Sequence, residues 1–217
     1  MNKIMIIDDH PIFRNGLKLL IESEGDFQVV AQTDNTTEAV SLYQEHKPDI
    51  SIVDVTLKDS SGLDLVKSLR EYDPEARILV LSMHSEDFYA ERALKAGAKG
   101  YIMKEQASVD IVNALRAISI NQIYLSQKMM NRLFSRTYGK KQDISLSPID
   151  SLTDRELEVL QMISEGKSVK EIAFNLSLSH KTIETHRSHI MHKMGIANSN
   201  ELLQFAIHWK ISNQEKN

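Results

Sequence analysis

The sequence predicts an α/β module built on a buried parallel sheet, followed by a smaller all-helical module. Three observations carry that expectation. Short apolar runs recur every twenty-odd residues through the first 121 positions, with helical apolar spacing between them. The runs are continuous rather than alternating, the pattern of parallel strands covered on both faces. Beyond residue 150 the runs stop, and two capping boxes open helices.

The strands fall at "IMII" (4–7), "FQVVA" (27–31), "ISIV" (50–53), "ILVL" (78–81) and "YIM" (101–103). The intervening helices show their buried faces as Ile12, Phe13, Leu17 and Leu20; Ala39, Val40 and Tyr43; Leu63, Val66 and Leu69; Ala90, Ala93 and Leu94; Ile111, Leu115 and Ile118. Gly25, Pro48, Pro74 and Gly97 mark turns. Residues 124–136 read as a helix and 137–150 as linker. The expected division is 1–121 for the α/β module, 122–149 for a helical linker and 150–212 for the second module.

In the second module Thr153 with Glu156, and Ser168 with Glu171, form the two capping boxes. The first helix carries Leu157, Leu160 and Ile163 and stops at Gly166; the next carries Ile172, Ala173 and Leu176. Ser179 caps a third, with Ile183, Ile190 and Met194 on one face and Gly195 after it, and a fourth covers 199–210. Helix, short turn, helix is the frame of helix-turn-helix DNA readers.

Composition narrows the function classes. The 217 residues hold no run of 18 apolar side chains, so no membrane span is expected, and no signal-like N-terminus. Zero cysteines exclude disulfides and thiolate metal sites, and with the missing signal this favours the cytoplasm. The formal charge of −4 hides an asymmetry: residues 1–121 carry 13 Lys+Arg against 20 Asp+Glu, 122–150 carry 5 against 2, and 151–217 carry 8 against 8. Nucleic acid is therefore expected only at a local face of the C-terminal module.

The stretch "IMIIDDH" runs a buried strand into two adjacent carboxylates, Asp8 and Asp9. The other apolar runs end comparably: Asp54 follows "ISIV", Ser82 follows "ILVL" and Lys104 follows "YIM". The carboxyl edge of an open parallel sheet is where its ligand crevice lies. Three carboxylates at one edge raise each other's pKa unless a cation sits among them. Hard oxygen ligands shared with a phosphoryl group suit Mg²⁺. Lys104 and the Ser82 hydroxyl can then hold phosphoryl oxygens while Asp54 attacks phosphorus.

With these residues in view, "IIDDHP", "IVDVTLKDSSGLDLV", "LVLSMHS" and "AGAKGYIMKE" resemble the receiver domain of bacterial two-component response regulators. "LTDRELEVLQMISEGKSVKEIAFNLSLSHKTIETHRSHIMHKMGI" resembles the LuxR-type helix-turn-helix, and the pair together resembles the NarL/FixJ family. The resemblance implies a flavodoxin-like sheet of five parallel strands in the order 2-1-3-4-5, followed by the all-α module. It implies that a sensor histidine kinase phosphorylates Asp54, that Asp9, Asp54 and the Thr56 carbonyl ligate Mg²⁺ with Asp8 acting through water, and that Ser82 and Lys104 read the phosphoryl group. Tyr101 would be an aromatic switch that turns inward on activation. The family often has Pro after the lysine, at a cis peptide; here Glu105 follows, and a non-prolyl cis bond costs roughly 3 kcal/mol.

On the third helix of the C-terminal module, 100° per residue places Lys181, Glu184, Thr185, Ser188 and His192 opposite the apolar stripe, on the face a groove would meet. Thr182, Lys170 and Lys193 complete the expected DNA contacts. His180, His186, His189 and His192 have no metal-site spacing; His186 is expected half-buried and the others facing solvent or phosphate. The reading is a phosphorylation-switched transcription regulator that binds promoter DNA as a homodimer. It is not an enzyme beyond its own phosphorylation and dephosphorylation. An aspartyl-phosphate phosphatase would need a second acid–base carboxylate and leaves the helical module unexplained. A regulator whose receiver serves as a phosphorylation-independent platform is the alternative.

Overall fold

The computed structural model describes residues 1–57, 61–138 and 148–214. Residues 58–60 of "IVDVTLKDSSGLDLV" and 139–147 of the expected linker lie outside the described residues, as do 215–217. The chain forms two compact units, Met1–Lys141 and Gln142–Asn217.

The first unit alternates β1 (Asn2–Ile7), α1 (Pro11–Glu22), β2 (Phe27–Thr33), α2 (Thr36–His46), β3 (Ile50–Asp54), α3 (Gly62–Tyr72), β4 (Ile78–Ser82), α4 (Glu86–Ala96), β5 (Gly100–Met103) and α5 (Ala107–Ser119). All strands are parallel, in the order β2-β1-β3-β4-β5, as the sequence led us to expect. Ile4, Ile6, Ile50, Ile52, Leu79, Leu81 and Ile102 form one core layer with Leu17 and Ile21 of α1 and Ile111, Leu115 and Ile118 of α5. The alternate residues Met5, Ile7, Val53 and Val80 are buried as well. Each such side chain contributes about 1.5–3 kcal/mol, which is why the strands read as unbroken apolar runs.

Register decides what reaches the carboxyl edge. Ile7 pairs with Val53, Asp54 with Leu81 and Ser82 with Met103. The next residues along, Asp8, Asp9 and Lys104, therefore emerge beside Asp54 and Ser82. No described peptide bond is cis, so the bond after Lys104 is trans; instead, a 3-10 turn over Lys104–Gln106 leads into α5.

After α5 the chain runs along the outer edge of β5. Tyr124 bridges Gly100 in parallel, its carbonyl accepting the Tyr101 N–H at 3.1 Å. A Cβ at Gly100 would lie 2.8 Å from that carbonyl, so the close approach needs glycine. Helix α6 (Gln127–Tyr138) follows and packs with α4, and its Met129 is buried.

The second unit holds a 3-10 turn (Pro148–Ser151), α7 (Asp154–Ser164), α8 (Val169–Asn175), α9 (His180–Met194) and α10 (Ser199–Gln214). Both expected capping boxes are formed, and Ser179 caps α9 by accepting the Thr182 N–H. Leu157, Leu160, Ile163, Ile172, Ile183, Ile190, Leu202 and Ala206 are buried in this unit. Among the described residues no helix is long and apolar enough to cross a membrane.

Gly62 opens α3, its N–H donating to the Val55 carbonyl at 2.7 Å. A Cβ there would lie 1.8 Å from the Asp54 carbonyl oxygen. Gly62→Ala must therefore push β3 and α3 apart directly behind Asp54. We expect a loss of at least about 2 kcal/mol in receiver stability by denaturant unfolding; an unchanged midpoint would show that the junction can relax.

Candidate functional site

Asp8, Asp9, Asp54 and Lys104 converge as expected. Lys104 Nζ lies 2.6 Å from Asp54 Oδ2 and 2.7 Å from Asp8 Oδ2. Asp8 and Asp54 are each 2% exposed and Lys104 7%. Burial raises the Asp8 pKa, and the Asp54 charge raises it further, against the pull of Lys104. Burial also disfavours the Lys104 charge, but Asp54 and Asp8 outweigh it and hold the ammonium above its usual range. The pocket thus keeps one cation among three carboxylates.

His10 joins this group. Its Nδ1 lies 2.7 Å from Asp9 Oδ1 and 3.3 Å from Asp8 Oδ1. Asp54, then Asp9 and Asp8, hold the imidazole above its usual range against burial and the Lys104 charge. The ring of Phe13 lies 4.8 Å from Lys104 Nζ, a cation–π contact. The Arg14 guanidinium donates to the Asp8 carbonyl.

The donor set fits a divalent cation. Asp8, Asp9, His10 and Asp54 bring ligand atoms within 4.8 Å of one another. Asp8 Oδ2 and Asp9 Oδ1 are buried, and the contact each makes is an ion pair at 2.7 Å, with Lys104 Nζ and His10 Nδ1. The cluster can bind a metal ion, and its oxygens are of the hard kind.

Ser82 is buried, and its hydroxyl accepts the His84 N–H at 3.0 Å. Thr56 donates its N–H to Asp54 Oδ1 at 3.2 Å, and its hydroxyl lies 3.1 Å from His84 Nε2. The His84 ring stacks on Tyr89 at 4.8 Å. Tyr101 is 1% exposed and already turned inward, its hydroxyl donating to the His84 carbonyl at 2.7 Å. Burial raises its pKa, so the phenol stays protonated and remains a donor. The sequence had not singled out His10, Gly62 or His84, and had placed Phe13 only on the buried face of its helix. The adjacency of His10 to "DD" was the one available signal among them.

On α9, Lys181, Glu184, Thr185, Ser188 and His192 are exposed together, and Thr182 is half-buried. His186 is half-buried, which lowers its pKa. Lys170 on α8 is exposed. Lys193 is exposed, and its Nζ lies 2.6 Å from the buried Glu156 carboxylate. Glu184 pairs with Arg187 on its own helix at 3.0 Å.

A parallel sheet with an acidic, lysine-sealed pocket at its carboxyl edge, joined to a helix-turn-helix unit, defines a protein that couples a modifiable carboxylate to DNA binding. Comparison with known proteins gives the family. Residues 4–116 match the response regulator receiver domain, and 150–206 match the bacterial regulatory proteins of the luxR family. The chain is 36% identical to a nitrate/nitrite response regulator protein homolog of Haemophilus influenzae, over 89% of its length and 90% of that protein. It is 34% identical to the oxygen regulatory protein NreC of Staphylococcus epidermidis, over 96% and 98%. Its fold is similar to that of RcsB from Salmonella enterica serovar Typhimurium, solved bound to promoter rprA with phosphomimetic BeF3⁻, at a TM-score of 0.61 and 26% identity over 94% of this chain and 98% of that one. The chain belongs to the two-component response regulators with a LuxR-type DNA-binding domain, the phosphorylation-switched transcription regulators.

Two predictions follow from the second unit. If Glu184 reads a cytosine amino group, Glu184→Ala loses discrimination at one base pair by roughly 1–3 kcal/mol. A uniform gain in affinity across single-base variants of the site, at fixed salt, would instead mean that the Arg187 pair is its whole role. For Glu156, burial raises the pKa, but the Lys193 ammonium and the Thr153 N–H outweigh it and leave the carboxyl below its usual 4.5. Its folded pKa is depressed, so its contribution is present above pH 4.5 and lost as pH falls through the folded value. Wild-type melting should therefore fall below that pH more steeply than melting of Glu156→Gln.

Proposed function

We propose that Asp54 accepts a phosphoryl group from the phosphohistidine of a sensor kinase. In that transfer the N–P bond breaks as an Asp54 carboxylate oxygen forms the new O–P bond. The observation that carries this reading is Lys104 Nζ at 2.6 Å from Asp54 Oδ2: the ammonium is already placed beside the carboxylate that would carry the phosphoryl group and its charged oxygens. Ser82, on the neighbouring strand, supplies a hydroxyl for another phosphoryl oxygen. Mg²⁺ would be held by Asp9, Asp54 and the Thr56 carbonyl, with Asp8 acting through water; when bound it neutralises charge on the phosphoryl oxygens. Acting in the cytoplasm, the phosphorylated chain binds promoter DNA as a homodimer through Lys170, Lys181, Thr182, Glu184, Thr185, Ser188, His192 and Lys193. Leu203, Ile207 and Ile211, exposed on α10 at four-residue spacing, support the dimer. RcsB dimers bound to DNA are known from a solved relative.

The inward position of Tyr101 with Asp54 unmodified favours a second reading, in which the receiver is a platform that does not require phosphorylation. One experiment separates the two. With acetyl phosphate and Mg²⁺, wild type should gain one phosphoryl group by intact mass, dimerise and bind two half-sites about one helical turn apart. Asp54→Asn should gain none and bind DNA weakly. Equal DNA binding by both proteins, whatever the phosphorylation, would establish the platform reading.

A further inference from the structure

Helix α6 is tied to the start of α4 more closely than a spacer requires. Ser126, at its entrance, lies 2.5 Å from Glu86 Oε1. Lys128 Nζ lies 3.3 Å from Asp87 Oδ2. One Arg132 nitrogen lies 3.1 Å from Asp87 Oδ1 and 3.3 Å from the Asp87 carbonyl. Met129, between these polar contacts, is buried. Asp87 is itself only 11% exposed and meets the Ser85 hydroxyl.

The other end of this short segment is in the phosphoryl pocket. Ser82 accepts the His84 N–H; the His84 carbonyl takes the Tyr101 hydroxyl; its ring meets Thr56, two residues beyond Asp54. Ser85 then caps α4, accepting the Asp87 N–H at 3.4 Å. Four residues, Met83–Glu86, thus separate the Ser82 hydroxyl from Asp87, the carboxylate that grips α6. No flexible spacer intervenes, because each residue from 82 to 87 except Met83 makes a polar contact in this chain of bonds.

We propose that Asp87 is a latch whose grip on Lys128 and Arg132 depends on the phosphorylation state of Asp54. This rests on Asp54 being the phosphoacceptor. The three contacts fit the β4–α4 segment in the position it takes beside an unmodified Asp54. Drawing Ser82 and His84 toward a phosphoryl group shifts the first turn of α4 and misaligns hydrogen bonds whose strength falls steeply with angle. The ion pairs are partly exposed and therefore weak enough to exchange. Release frees α6, the described helix that precedes the DNA-binding unit in the chain, which gives a route from Asp54 toward the output.

Hydrogen exchange of the α6 amides in the full chain, with acetyl phosphate and Mg²⁺ and with intact mass followed in parallel, tests this. Phosphorylated protein should exchange across 127–135 roughly threefold to tenfold faster, the scale of two partly exposed ion pairs. The double variant Lys128→Gln, Arg132→Gln leaves α4 untouched. It should exchange at the fast rate before phosphorylation and gain nothing after it. A fully phosphorylated chain with unchanged α6 exchange, or a double variant exchanging like wild type, overturns the latch alone. A chain that takes no phosphoryl group overturns the Asp54 assignment and the coupling with it.

Discussion

The Lys104 ammonium between Asp8 and Asp54 is the contact on which the pocket depends. Two buried carboxylates facing each other without a cation would protonate or force the strand ends apart, since an uncompensated buried charge costs several kcal/mol. Lys104 follows β5, Asp8 follows β1 and Asp54 ends β3, so the contact closes only if the whole sheet has the right order and register. Everything behind it serves that placement. Gly62 lets α3 close on the Asp54 backbone, Arg14 holds the Asp8 carbonyl, and Phe13 covers the ammonium.

Much of this was legible in the chain. Continuous apolar runs located all five strands to within two residues at either end, because burial on both faces leaves no polar position to blur the pattern. The strand ends supplied Asp8, Asp9, Asp54, Ser82 and Lys104 at once, since a parallel sheet presents all its carboxyl ends at one edge. The helix caps of the second unit were equally local signals, each confined to four residues.

What escaped was non-local. His84 matters because its ring, amide and carbonyl each meet a different element, and none of those contacts leaves a trace in its neighbours in sequence. Gly62 sat in a quoted stretch but could not be weighed without knowing how near the Asp54 carbonyl comes. Lys193 was expected among the DNA contacts, and its partner Glu156 stands 37 residues earlier, already used in a capping box. The helical segment after α5 was visible, but its attachment to α4 turns on charges 41 and 45 residues apart. The inward Tyr101 likewise depends on a carbonyl in another loop.

The energetics of the pocket suit a switch rather than a fixed site. Moving a two-state equilibrium from 1:99 to 99:1 takes about 5.5 kcal/mol of differential interaction. Hydrogen bonds to charged groups contribute roughly 1.5–3 kcal/mol each. Two or three new contacts to a phosphoryl group, from Lys104, Ser82 and a backbone amide, therefore reach that scale without rebuilding the core. Lys104 does not need to be recruited, because it already sits on Asp54; what changes is the charge it faces. Ser82 does have to reorient, and its hydroxyl is bonded to the very residue, His84, that also holds Tyr101 and Thr56. A modification at one carboxylate is thus felt first by the segment with the most cross-element contacts, and the rigid sheet beneath it leaves that segment as the part free to respond.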